Sequence, residues 1–157
     1  FNKKGNDTSA KANAWFTGLK EDRLWGVVQE IDPADKPVLD RIESLGCGYA
    51  EKEAVVTSRS GKTYHVFFYQ AMEAWIDHHI KPFDWYWRFV MLGALENELP
   101  EDHISLIAQV GPLSDPSASR TSHNQKVLEG CEAWLRHRNT MELPDRYVGT
   151  GDRSDRR

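Results

Sequence analysis

Apolar positions change period several times along the chain, and each change predicts an element. From Leu24 to Ile31 (LWGVVQEI), Trp25, Val27 and Ile31 share one face at steps of two, which predicts a strand; Ala12 to Phe16 reads as a shorter strand before it. Residues 1 to 11 are polar with turn formers and predict an irregular lead-in. Asp32 can then cap a helix with Pro33 in its first turn and Val38, Leu39, Ile42 and Leu45 on one stripe, stopping at Gly46. Glu53 to Ser58 and Lys62 to Gln70 read as strands around Arg59-Ser60-Gly61, a hairpin by length and glycine. In the second of these, Tyr64, Val66 and Phe68 alternate with His65, Phe67 and Tyr69; both faces are largely apolar, and a central place in a sheet is expected.

Beyond Phe83 the period becomes helical. Phe83, Tyr86, Trp87, Val90, Met91, Ala94 and Leu95 recur at steps of three and four, predicting an amphipathic helix of about 14 residues interrupted at Asn97 to Pro100. A shorter helix, Glu101 to Val110, is expected before the stop Gly111-Pro112. Residues 111 to 122 read as a linker, and 124 to 138 as a last helix with Val127, Leu128, Cys131, Trp134 and Leu135 on one face, packing back on the domain. The polar GTGDRSDRR should be disordered. Together these elements indicate an α+β domain: a main body at 1–112, a linker and C-terminal helix at 113–140, and a flexible tail at 141–157.

With 157 residues the chain fits one domain able to bury a core. Its net charge of −4, with both signs interspersed, offers no cationic face for nucleic acid or for anionic lipid. No apolar run approaches the roughly 18 residues of a membrane span. Cys47 and Cys131 are the only cysteines, too few for a disulfide framework, so a cytoplasmic setting is expected. Because the sequence opens at Phe1 rather than methionine, it is expected to be part of a longer chain.

Several residues have chemistry worth weighing against an ordinary structural role. Glu43 falls at the end of the first helix, where a carboxylate faces the negative end of the macrodipole, next to a turn whose Gly46 and Gly48 permit close approach. A solvated glutamate and a general acid/base in a cleft both fit that position. Tyr86, on an apolar stripe, has a hydroxyl that needs a partner once buried, which a core tyrosine bonded to backbone satisfies, and Tyr49, after the glycines, is similarly ambiguous. Asp77-His78-His79 has ligand types for zinc or iron but lacks the spacing, and a polar loop fits better. Cys47 has no histidine near it in sequence to serve as its base, and Gly149-Thr150-Gly151 lacks the lysine and following helix of a phosphate loop.

Two segments together carry a resemblance. "LWGVVQEIDPADKPVLDRIESLGCGY" pairs a Trp-Gly strand with a helix ending in Glu and a Gly-Tyr turn, and "WYWRFVMLGALENELPEDHISLI" runs from a tyrosine through an apolar helix to a "GA.E..LP" turn and a short helix. In order and spacing both resemble the gamma-glutamylcyclotransferase-like family, over about residues 1 to 110. The resemblance implies a small mixed β-barrel with helices packed around it, the present chain adding a C-terminal helical extension. It implies release of 5-oxoproline and a free amine or amino acid from a small-molecule γ-glutamyl substrate, without cofactor or metal. It also assigns Glu43 as the catalytic acid/base and Tyr49 and Tyr86 as substrate-binding.

Three departures accompany it. The family's Tyr-Gly-Ser-Asn type loop, whose amides would hold substrate and oxyanion, has no counterpart and is expected upstream of Phe1. Ala50-Glu51 follows Tyr49 where relatives often have a basic residue, and Glu98 replaces the glycine of "GLP", a change expected to affect a turn rather than chemistry. Substrates with a γ-glutamyl amine, such as isopeptide-linked lysine, fit as well as γ-glutamyl amino acids. The scaffold also admits a non-catalytic binding or regulatory domain and, more weakly, a metal-dependent protein using His78 and His79. The face of helix 124–138 suits either packing on the domain or a homodimer contact.

Overall fold

The computed structural model describes residues 1–139. They divide into two compact units, Phe1–Ile80 and the part of Lys81–Arg157 that is described. In the first unit, β1 (Lys3–Lys4) and β2 (Ala10–Lys11) form a short antiparallel pair. The lead-in expected to be irregular is therefore a closed turn. Asp7 holds it together by accepting from the Ser9 amide and hydroxyl and from the Lys11 ammonium at 2.8 Å. Gly5 is required there, because a Cβ would stand 2.7 Å from the Asp7 carboxylate and 2.8 Å from the Lys11 stem.

Helix α1 spans Lys36–Ile42, later than the sequence predicts, because Asp32 closes a turn of its own: its carboxylate accepts from the Ala34 amide at 2.8 Å and its carbonyl from the Asp35 amide. The expected apolar stripe is not buried, since Val38, Ile42 and Leu45 are all exposed. α1 is instead tied to the following hairpin by charge and aromatic faces. The Lys36 ammonium pairs with Asp40 and Glu51 and lies 4.7 Å from the Phe67 ring centroid, while the Tyr69 hydroxyl donates to Asp40. Those hydrogen bonds, from Lys36 and then Tyr69, hold the Asp40 carboxyl below its ordinary pKa.

The hairpin itself matches expectation. β3 (Tyr49–Thr57) pairs antiparallel with β4 (Thr63–Ala71) in unbroken register from Tyr49 opposite Ala71 to Thr57 opposite Thr63, and Gly61 turns the loop at φ +84°. Two strand predictions fail. Among the described residues the two sheets have two strands each, so β4 is not central, and no closed barrel is found. Ala12–Phe16 and Leu24–Ile31 form no ladder: Leu24 is 67% exposed and Val27 50%. Alternation makes a segment suitable for a sheet, but a strand exists only where a neighbour accepts its backbone hydrogen bonds.

The second unit is helical and contains most of the buried apolar side chains: α2 (Asp84–Glu96), α3 (Glu101–Ala108) and α4 (Ala118–Asn139). α2 follows its predicted period and buries Trp87, Met91, Leu92 and Ala94; the Trp87 indole donates to the Ile107 carbonyl at 2.8 Å, joining α2 to α3. α4 begins at Ala118 and so takes in part of the expected linker. Its Leu128 and Leu135 pack with Leu92, while Val127 and Trp134 stay largely exposed, a narrower stripe than predicted. The expected disordered close, GTGDRSDRR, lies outside the described residues.

α2 ends where the turn departs from the resembled pattern. The Leu99 amide donates to the Ala94 carbonyl at 2.9 Å and the Glu98 amide to Leu95 at 3.1 Å, a Schellman arrangement that puts Glu98 at φ +50°. That left-handed position is where the resembled pattern places glycine, so Glu98 stands in backbone strain that glycine would not feel. Glu98→Gly is expected to raise unfolding stability by about 0.5–1 kcal/mol. Urea unfolding of the pair measures it, and a less stable variant would show that the strain is not there.

Ahead of α4, Asp115 has a fully enclosed side chain that accepts from Arg120 through two nitrogens, from the Trp85 indole at 2.8 Å and from the Ser117 amide at 2.8 Å. Hydrogen bonds from Arg120 above all hold its carboxyl down at about 2. A carboxyl depressed on folding contributes stability that is complete above its unfolded value of about 3.9 and is lost as pH falls through its folded value. Between pH 5 and pH 2 the wild type should therefore lose more unfolding stability than Asp115→Asn, as read by urea titration at each pH. Equal losses would remove Asp115 from the account of acid sensitivity.

Candidate functional site

Glu43 is placed by the end of α1. It is the last residue with helical backbone (φ −77°, ψ −3°), after which the Leu45 amide donates to the Asp40 carbonyl at 2.9 Å and the Ser44 amide to Arg41 at 3.2 Å, with Ser44 at φ +56°. This is a second Schellman end with a non-glycine residue in the left-handed position. The chain then folds back. Gly46, at φ +82°, donates its amide to the Tyr49 carbonyl at 2.8 Å, and the Met72 amide to the Gly48 carbonyl extends the β3–β4 hairpin to the same turn. Glu43 and Tyr49, six positions apart, are thereby held at the two ends of one hydrogen-bonded loop.

The Glu43 carboxylate is half-buried and has no hydrogen bond or ion pair among the described residues. The Tyr49 hydroxyl donates to the Ala12 carbonyl at 3.1 Å, and its ring faces the Lys3 ammonium at 4.8 Å. Trp75, in the 3₁₀ turn Glu73–Trp75, presents its ring to the same ammonium at 5.2 Å. Lys3 is only 7% exposed. Burial first, and then Lys11, lowers its pKa below the ordinary lysine range, while Glu43 and Asp7 act in the opposite direction. Glu43 and Lys3 therefore feel each other's charge within the first unit.

Tyr86 belongs to the second unit. It is half-buried on α2, with its ring edge-on to Trp85 at 5.8 Å. The Asp77-His78-His79 stretch is used locally: Asp77 accepts from the His79 amide at 2.8 Å, and the His78 ring meets Trp15 edge-on at 5.8 Å. No group of three or more histidine, cysteine or acidic side chains among the described residues is arranged to hold a metal ion. Cys47 is exposed at the loop between Glu43 and Tyr49. No helix among the described residues is long and apolar enough to cross a membrane.

The residue that sequence reasoning passed over is Lys3. It lies in a polar stretch where one lysine looks like the next, and only the folded arrangement distinguishes buried Lys3 from exposed Lys4. Sequence signals carry no sign of that, because the rings that cover Lys3 arrive from positions 49 and 75.

Comparison with known proteins adds one finding. The model of the AIG2-like family matches residues 23–107, a little over half of the chain, a span that includes Glu43, Tyr49 and Tyr86. No curated protein and no solved structure matches the chain.

Proposed function

Since the chain belongs to the AIG2-like family, within the gamma-glutamylcyclotransferase-like superfamily, we propose that it cyclises a γ-glutamyl compound to 5-oxoproline with Glu43 as general acid/base. The observation that carries this reading is the half-buried Glu43 carboxylate, unpartnered among the described residues and held by main-chain hydrogen bonds at the end of α1.

The substrate supplies its own nucleophile, and formation of a five-membered ring supplies proximity, so the protein's task is proton transfer and charge stabilisation. The α-ammonium gives a proton to Glu43 and the freed amine attacks the γ-carbonyl, forming the lactam C–N bond. Glu43 hands that proton to the departing nitrogen as the old C–N bond breaks. A second proton, lost as the new amide nitrogen becomes neutral, also ends on the leaving amine, which departs as an ammonium. The resemblance further assigns Tyr49, at the other end of the same loop, to the substrate.

The test is direct. The full chain is incubated with γ-glutamyl dipeptides and with γ-glutamyl-lysine in isopeptide linkage, and 5-oxoproline is quantified. Release from at least one member, with the matching free amine in equal amount, is the expected result. A folded protein that releases none from any member defeats the reading.

A further inference from the structure

A buried ammonium ordinarily has an anion or several acceptors around it, because its hydration has been lost. Lys3 has neither. Although it is more than nine-tenths buried, no carboxylate among the described residues comes within 4 Å of its ammonium and no acceptor there takes its N–H groups. Two ring faces, Tyr49 and Trp75, hold it from the sides. Gly48 lies alongside it, where a Cβ would stand 3.4 Å from the nitrogen, in ordinary contact. Asp7 is already occupied by Lys11 and Ser9. Nor is the ammonium sealed off: the one fully enclosed side-chain polar atom without a partner among the described residues is the Thr121 hydroxyl.

Three N–H donors between two aromatic rings, not fully enclosed and within the field of Glu43, make a receptor for one oxygen anion. We infer that Lys3 takes the α-carboxylate of the γ-glutamyl group, an inference that rests on the function proposed above and names the part of the substrate the site reads. The α-carboxylate is charged throughout the reaction, so it suits a cation, and its capture turns the adjoining α-amine toward a base. Lys3 is then a specificity-determining residue: it contributes to binding before any chemistry and transfers no proton.

Retaining an unpaired buried charge runs against stability, and replacing it with an apolar side chain of similar length is neutral or stabilising. Lys3→Met should therefore fold at least as stably as wild type while losing carboxylate recognition, a combination that a merely structural lysine would not produce.

The experiment is calorimetric titration of the full chain with 5-oxoproline and with 5-oxoprolinamide, which differ only in the carboxylate. Wild type is expected to bind the acid at least about tenfold more tightly than the amide, the range of a hydrogen bond to a charged group. Lys3→Met should bind the two alike, Lys3→Arg should keep part of the preference, and Glu43→Gln should keep it. Because 5-oxoproline lacks the leaving amino acid, a Lys3-dependent preference assigns the contact to the α-carboxylate rather than to the carboxylate of a departing amino acid. A preference that survives in Lys3→Met, or a wild type that binds both alike or neither, overturns the inference. The two readings fail separately: preference without 5-oxoproline release defeats the cyclisation, and release without preference defeats the role of Lys3.

Discussion

Replacing Glu43 by glutamine is expected to lower the rate of the proposed 5-oxoproline release by about 10²- to 10⁴-fold, the usual worth of a positioned general acid/base. The substitution keeps size and shape and removes the negative charge together with the capacity to accept and return a proton. The structure predicts that nothing else changes: the hydrogen bonds that end α1 are main-chain bonds from Glu43, Ser44 and Leu45, and the Glu43 side chain makes none among the described residues. Unfolding stability should stay within about 0.5 kcal/mol of wild type, as for a substitution away from any packed feature. Glu43→Asp, which withdraws the carboxylate by one methylene, should fall between the two in rate, since proton transfer demands hydrogen-bond reach. Steady-state rates across a panel of γ-glutamyl substrates decide it. A glutamine variant with more than about a tenth of the wild-type rate would mean that another group or solvent moves the proton.

The second large effect is on the fold. Leu128→Ala is expected to cost about 3 kcal/mol of unfolding stability, within the range for truncating an enclosed leucine. Leu128 is 0% exposed and joins Leu92 and Leu135, with Trp85, Phe89 and Cys131 packed around them. Those partners come from two helices, so collapse into the vacated space requires both to move, and most of the cavity should persist. Val127, one residue earlier and 45% exposed, provides the control: Val127→Ala should cost under about 1 kcal/mol. Denaturant unfolding of the two variants separates the outcomes, and similar losses would mean that α4 is not anchored through Leu128.

The periods along the chain determined the helices of the second unit and the β3–β4 hairpin, because those elements are made by bonds between residues near in sequence. α2 and α3 follow from steps of three and four with Pro100 between them, and the hairpin from two β-rich runs around Arg59-Ser60-Gly61. Glu43 was legible as a carboxylate at a helix end, and the two quoted segments carried the family. What sequence left open was decided by partners far along the chain. Leu24–Ile31 has the alternation of a strand, yet no backbone among the described residues pairs with it. α1 was expected to dock by an apolar stripe and is held instead by Lys36 across Asp40, Glu51 and the rings of β4. Lys3 differs from Lys4 only through Tyr49 and Trp75, which no local pattern announces. Periodicity records which side of an element is apolar; which groups meet that side, and which charge is left without a partner, follows only from the folded arrangement.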